Sequence, residues 1–79
     1  MFYTYVLKCS DWDFYIGSTE NLKRRVYEHK IGNVDSTKHC LPIELVYYEA
    51  CYSKSSAQKR ERYFKTGFGR AYLKSRQSE

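Results

Sequence analysis

Residues 14–29 read FYIGSTENLKRRVYEH, and this stretch decides how the rest of the chain is read. Phe14, Tyr15 and Ile16 are aromatic or β-branched residues suited to a pleated strand, so residues 14–18 form one. Gly17 lacks a side chain and lets another group approach the backbone closely. Thr19 is a plausible N-cap with Glu20 favourable in the first turn, so a helix follows. Leu22, Val26 and His29 recur at i, i+4 and i+7 and define its apolar face. Gly32 ends the helix. Arg25 and His29 stand four residues apart and point the same way, at the edge of that face. A solvated arginine with a core-edge histidine would satisfy the pattern, and so would a site.

Working outward, residues 2–9 (FYTYVLKC) alternate with period two and form a strand. Ser10, Asp11, Trp12 and Asp13 are turn chemistry, so the first two strands make an antiparallel hairpin. Residues 32–42 read as a loop with a basic centre at Lys38 and His39. Residues 45–51 (LVYYEAC) form a third strand. Ser53 or Ser55 caps a second helix reaching about Lys65, and the run Thr66, Gly67, Phe68, Gly69 breaks it. A short last helix covers residues 70–76. The order strand, strand, helix, strand, helix, helix gives a small α/β domain of the α+β kind.

The chain has 79 residues, which is one core and one domain over residues 1–79. Hydrophobic residues at 42% and charged residues at 29% argue against disorder. Nine tyrosines suit a small core that opens onto a polar site. The net charge of +5 favours a polyanionic partner, although a basic surface without one fits as well. Cys9, Cys40 and Cys51 are odd in number and show no CxxC spacing, so a disulfide scaffold is not expected and a reducing cytosol is the simple inference. A zinc site on His39 and Cys40 would need distant partners. No long apolar run indicates export or membrane spanning.

The sharper anomaly lies in the second helix. Ala57, Glu61 and Phe64 fall at i, i+4 and i+7, which sets a carboxylate in the apolar face. Burying it unpaired costs several kcal/mol. An arginine across the core would compensate it. So would a divalent metal, because magnesium needs only one or two carboxylates when water and phosphate complete its shell. In the hairpin, Tyr3, Tyr5 and Leu7 share one face of the first strand, and Tyr15 and Gly17 share one face of the second. Ordinary strand packing accounts for these tyrosines equally well.

Taken together these residues resemble the GIY-YIG nuclease domain, a family of small metal-dependent endonucleases. Tyr3-Thr4-Tyr5 stands where the family has Gly-Ile-Tyr and keeps its final tyrosine. Tyr15-Ile16-Gly17 is the second half of the signature. Ser18-Thr19-x-x-Leu22-x-x-Arg25-x-x-x-His29 resembles the helix motif, and Ser55-x-Ala57-x-x-x-Glu61-x-x-x-Lys65 the helix with the metal-binding glutamate. The likeness covers nearly the whole chain and is strongest to small stand-alone bacterial members. It implies a three-stranded antiparallel sheet flanked by helices. It further implies that Glu61 binds one Mg²⁺ or Mn²⁺, that Arg25 steadies phosphoryl charge, and that Tyr5 is the general base. His29 then draws off or holds the Tyr5 proton, Tyr15 positions water or phosphate, and Gly17 leaves room for close packing.

Lys38, Lys65, Arg70, Lys74 and Arg76 are candidates for contacts to nucleic-acid backbone, which position without reading sequence. Phe68 and Tyr72 suit core packing better than base stacking. Trp12 is the most exposed-looking aromatic. The expectation is a cytoplasmic, Mg²⁺-dependent endonuclease that acts on DNA in repair, recombination or processing, with weak or structure-directed specificity. The sequence does not separate DNA from RNA, or a monomer from a weak homodimer. A nucleic-acid-binding module without efficient cleavage and a protein-interaction domain are the alternatives.

Overall fold

The computed structural model describes residues 1–77, except the side chains of Phe68, Arg76 and Gln77. The expectations for the Phe68 and Arg76 side chains therefore lie outside the described residues. The elements are β1 (Phe2–Lys8), β2 (Phe14–Thr19), α1 (Leu22–Lys30), a 3₁₀ turn (Lys38–Cys40), β3 (Glu44–Cys51), α2 (Lys54–Phe64) and α3 (Gly67–Gln77). The three strands form one antiparallel sheet in the order β2-β1-β3. The first strand is thus the middle one, and both neighbours take their register from it.

Alternation along β1 divides the core in two. Tyr5 and Leu7 pack with Val26 of α1, Cys9, Cys40 and Ile43 on one face. Val6 packs with Ile16, Phe64 of α2 and Leu73 of α3 on the other. Tyr5 lies opposite Gly17 on β2 and Tyr48 on β3. The middle strand therefore presents its tyrosine to the α1 face, between an empty position and a ring.

Several boundaries differ from the sequence reading. Thr19 stays in β2, paired with Tyr3, and its hydroxyl accepts from the Asn21 N–H. The cap of α1 is Asn21, whose side-chain oxygen accepts from the Arg24 N–H. The β-branched threonine continues the strand and the asparagine two residues on starts the helix. Gly32, at φ 81°, terminates α1 as expected. Ser53 caps α2 by accepting from the Ser56 N–H. The Thr66–Gly69 run does not remain a break. Thr66 Oγ1 accepts from the Gly69 N–H at 3.2 Å and caps α3. A Cβ on Gly69 would sit 2.5 Å from Phe64 Cα and closer still to the Tyr63 carbonyl oxygen. Glycine there lets the first turn of α3 press against the end of α2.

The cysteines require a second correction. Cys9 and Cys40, 31 residues apart in sequence, are paired as a disulfide with Cα atoms 5.4 Å apart, and Cys51 is free. The 3₁₀ turn folds back onto the end of β1, where the Ser10 N–H donates to the Cys40 carbonyl at 2.9 Å. Sequence spacing carries no trace of that return. No helix among the described residues is long and apolar enough to cross a membrane. Tyr72 packs as read, with its ring centroid 6.3 Å from Phe64 and 6.4 Å from Tyr47. Trp12 is exposed, with Lys8 Nζ 3.9 Å above its ring.

Candidate active site

The site grows from the β1–β2 pair. Tyr5 is 1% exposed. A Cβ at position 17 would stand 2.6 Å from its hydroxyl and 2.7 Å from Cζ. The tyrosine ring therefore fills the space that glycine leaves. Its hydroxyl is 3.1 Å from His29 Nε2, on the last turn of α1. Tyr15 closes the cluster, with its ring centroid 5.0 Å from His29 and 6.4 Å from Tyr5.

His29 is fully enclosed, and both ring nitrogens have partners. Nδ1 lies 2.7 Å from Thr37 Oγ1, itself only 1% exposed. Burial, reinforced by the Arg25 charge, pushes the imidazole down to about 4, with Glu28 opposing. The ring is therefore neutral at pH 7, with one donor and one acceptor nitrogen. Where Nδ1–H donates to Thr37, Nε2 accepts from the Tyr5 hydroxyl. In that tautomer Thr37 holds the imidazole with Nε2 open to the phenol proton.

Burial also acts on Tyr5, pushing the phenol up to about 12. The Arg25 guanidinium beside it favours the phenolate, while Tyr15 and the Glu61 carboxylate oppose it. Arg25 is half-buried and donates to Glu28 Oε1 at 3.2 Å, and Arg24 reaches the other carboxylate oxygen at 3.5 Å. Glu28 therefore holds both guanidinium groups on a cleft of about 470 Å³ that Ser18 and Asn21 also line.

Glu61 approaches from α2, on the opposite face, and meets edge strand β2. Its Oε1 accepts from Ser18 Oγ at 2.8 Å and its Oε2 from Lys65 Nζ at 2.9 Å. The side chain is 24% exposed, which corrects the expectation of a carboxylate sunk in the apolar face. Ala57 and Phe64, a turn to either side, are fully buried, and the acid leans out between them to the sheet edge. Its partner is not an arginine across the core but a lysine one turn further along its own helix.

The structure thus gathers Tyr5, Tyr15, Gly17, Arg25 and His29, and brings Glu61 and Lys65 to the adjoining edge. Lys38 pairs instead with Asp35 at 3.2 Å, and Arg70 with Asp13 in the hairpin turn at 3.6 Å. Lys74 stands exposed on α3. Thr37 and Glu28 are contributors that the sequence did not single out, and Ser18 stood in the matched motif without a role. Glu28 lies inside that stretch, and its neighbours there were the only signal. Thr37 lies in a loop and carried none.

Among the described residues no group of three or more His, Cys, Asp or Glu is placed to hold a metal ion. Cys40 is tied to Cys9, so His39 and Cys40 do not form a zinc pair. What remains at the edge is one carboxylate beside a hydroxyl, with the Lys65 ammonium on its second oxygen. That donor set fits a hard cation that keeps most of its water, such as Mg²⁺ or Mn²⁺, and does not fit zinc.

Comparison with known proteins agrees with this arrangement. A family model described as the GIY-YIG catalytic domain matches residues 1–74. A UPF0213 protein of Streptococcus pyogenes is 39% identical over 82 aligned positions, covering 98% of this chain and 89% of that one. One from Natronomonas pharaonis is 45% identical over 65 positions, covering 81% and 76%. The solution NMR structure of a UPF0213 protein from Bacillus halodurans superposes with a TM-score of 0.59 at 32% identity, over 95% of this chain and 84% of that one. Tyr5 seated on Gly17, with Arg25 and His29 on the following helix, lies wholly within the matched residues, and the chain belongs to the GIY-YIG family.

Proposed function

We propose that the chain is a divalent-metal-dependent endonuclease that hydrolyses phosphodiester bonds in DNA. The observation that supports it most is the buried chain Thr37–His29–Tyr5 ending beside Arg25. A phenol with a neutral imidazole behind it and a permanent cation beside it suits proton abstraction next to a phosphate.

Glu61 would hold the ion, with Lys65 giving way from Oε2. Once bound, the ion supplies Lewis-acid polarisation of the phosphate and stabilises the leaving 3′ oxygen. Tyr5 gives its phenol proton to His29 Nε2 as its oxygen takes the proton of the attacking water. Arg25 neutralises charge on the non-bridging oxygens, held in place by Glu28. Tyr15 orients water or phosphate. The P–O3′ bond breaks without a covalent intermediate, leaving a 5′ phosphate and a 3′ hydroxyl. The cleft is small, so the reading is of structure-directed or weakly specific cutting in repair, recombination or processing.

A second reading is a nucleic-acid-binding module with little cleavage. The Lys65–Glu61 pair favours it, because a cation of the chain already sits where the metal would bind. A panel of single-stranded, duplex, flap and branched substrates, with Mg²⁺ or Mn²⁺ and an EDTA control, separates the two. Metal-dependent nicking that Glu61→Ala abolishes without loss of fold supports the enzyme. Salt-sensitive binding with no cleavage in any lane supports the module.

A further inference from the structure

Helix α1 leaves part of its sheet face open. Between α1 and β3 lies a second cleft, of about 780 Å³, larger than the one beside Arg25. Tyr3 and Tyr48 form its floor on the sheet and Tyr27 its wall on the helix. Tyr27 is 62% exposed and Tyr48 55% exposed. Tyr3 and Tyr48 meet edge to face at 6.4 Å, which fixes the floor. Lys23 and Lys30 line the same cleft and make no ion pair among the described residues. Arg24 and Arg25 on the same helix are, by contrast, tied to Glu28. Glu20 is the single acid on the rim. Glu20 and Asn21 line both clefts, so the two adjoin at the start of α1.

Aromatic faces flanked by unpaired cations fit a chain of planar bases joined by phosphates. Stacking on a tyrosine needs an exposed base face, which a single strand offers and an intact duplex does not. We propose that this cleft binds an unpaired DNA strand, its bases on Tyr27 and Tyr48 and its phosphates at Lys23 and Lys30, and leads it into the cleft beside Arg25. The proposal rests on the nuclease reading and makes its substrate a strand end, flap or single-stranded gap.

The test is fluorescence anisotropy of a labelled oligothymidylate in EDTA, where binding is read without cleavage. Tyr27→Ala is expected to weaken binding roughly tenfold, and Tyr27→Phe to retain most of it. Duplex of equal length should bind all three proteins alike. Lys23→Ala with Lys30→Ala should flatten the dependence of log K on log salt by about 1.4. Tyr48→Thr keeps the strand propensity of β3 and serves as the second variant. Unchanged oligothymidylate affinity in Tyr27→Ala and Tyr48→Thr, each with native circular dichroism, overturns the proposal. So does sedimentation showing a dimer that Tyr27→Ala dissociates, which would give the cleft to a second copy. Tighter binding of oligouridylate than of oligothymidylate overturns the assignment to DNA. A protein that binds strands with these variant effects yet cuts nothing with Mg²⁺ supports the cleft and refutes the nuclease reading alone.

Discussion

Replacing Gly17 with alanine tests why the tyrosine and the glycine face each other. The added Cβ would lie 2.6 Å from the Tyr5 hydroxyl, about 0.8 Å inside the 3.4 Å at which ordinary contact begins. The φ at Gly17 is not in the left-handed region, so the conflict is one of space alone. Tyr5 cannot retreat freely, because it is 1% exposed and its hydroxyl is held by His29. Overpacking of this kind costs about 1–3 kcal/mol. Loss of the buried hydrogen bond adds about 1–3 kcal/mol where the ring nitrogen stays unpaired. Together these span about 2–6 kcal/mol, and even ~3 kcal/mol is a large part of the ~5 kcal/mol available to a domain of this size. With a urea slope of ~1 kcal/mol/M, the midpoint should fall by about 3 M. Far-UV circular dichroism is the proper probe, since Trp12 is 77% exposed and reports little of the core. Gly67→Ala is the control, because a Cβ there meets nothing within 4 Å. Alanine restricts the unfolded chain similarly at both positions, so Gly67→Ala should gain about 0.4–1 kcal/mol. Equal stability of the two variants would refute the clash, and with it the account of the glycine.

Three further outcomes follow from the same geometry. His29 is held at about 4 when folded against 6.5 when unfolded, so the unfolded chain takes up the proton first. Its contribution of about 3 kcal/mol is complete above pH 6.5 and lost as pH falls through about 4, a dependence that urea titrations should show missing in His29→Gln. Thr37→Val should cost about 1–3 kcal/mol and shift the His29 ring nitrogens in ¹⁵N NMR, whereas Thr37→Ser should restore the spectrum. Lys65→Ala should tighten Mn²⁺ binding about threefold to tenfold by electron paramagnetic resonance, because it removes a cation from Glu61; unchanged affinity would show that Glu61 is not the ligand.

The hairpin, helix α2 and the face of α1 that carries Arg25 and His29 were legible because each rests on local periodicity. Asn21 rather than Thr19 capped α1 because strand pairing with Tyr3 outbid a local capping preference. The position of β1 in the middle of the sheet depends on β3 returning past β2, which no local pattern encodes. Thr37 and the Cys9–Cys40 pair escaped notice for the same reason, since both depend on where an irregular loop lands. Glu61 was read as buried because helical spacing fixes direction but not depth. The face proved to end at the sheet edge, where Ser18 and Lys65 meet the acid.

The order β2-β1-β3 also has a temporal side. As the chain lengthens, β1 and β2 can pair through their short turn before β3 is free to join them, and α1 can then lay His29 against Tyr5. A nascent chain at that stage carries the tyrosine half of the constellation and lacks the acid. Glu61 emerges later, on a helix that must seat against the far side of a finished sheet. Completion of the constellation therefore waits on α2, the helix that brings Glu61 to Ser18 at the sheet edge.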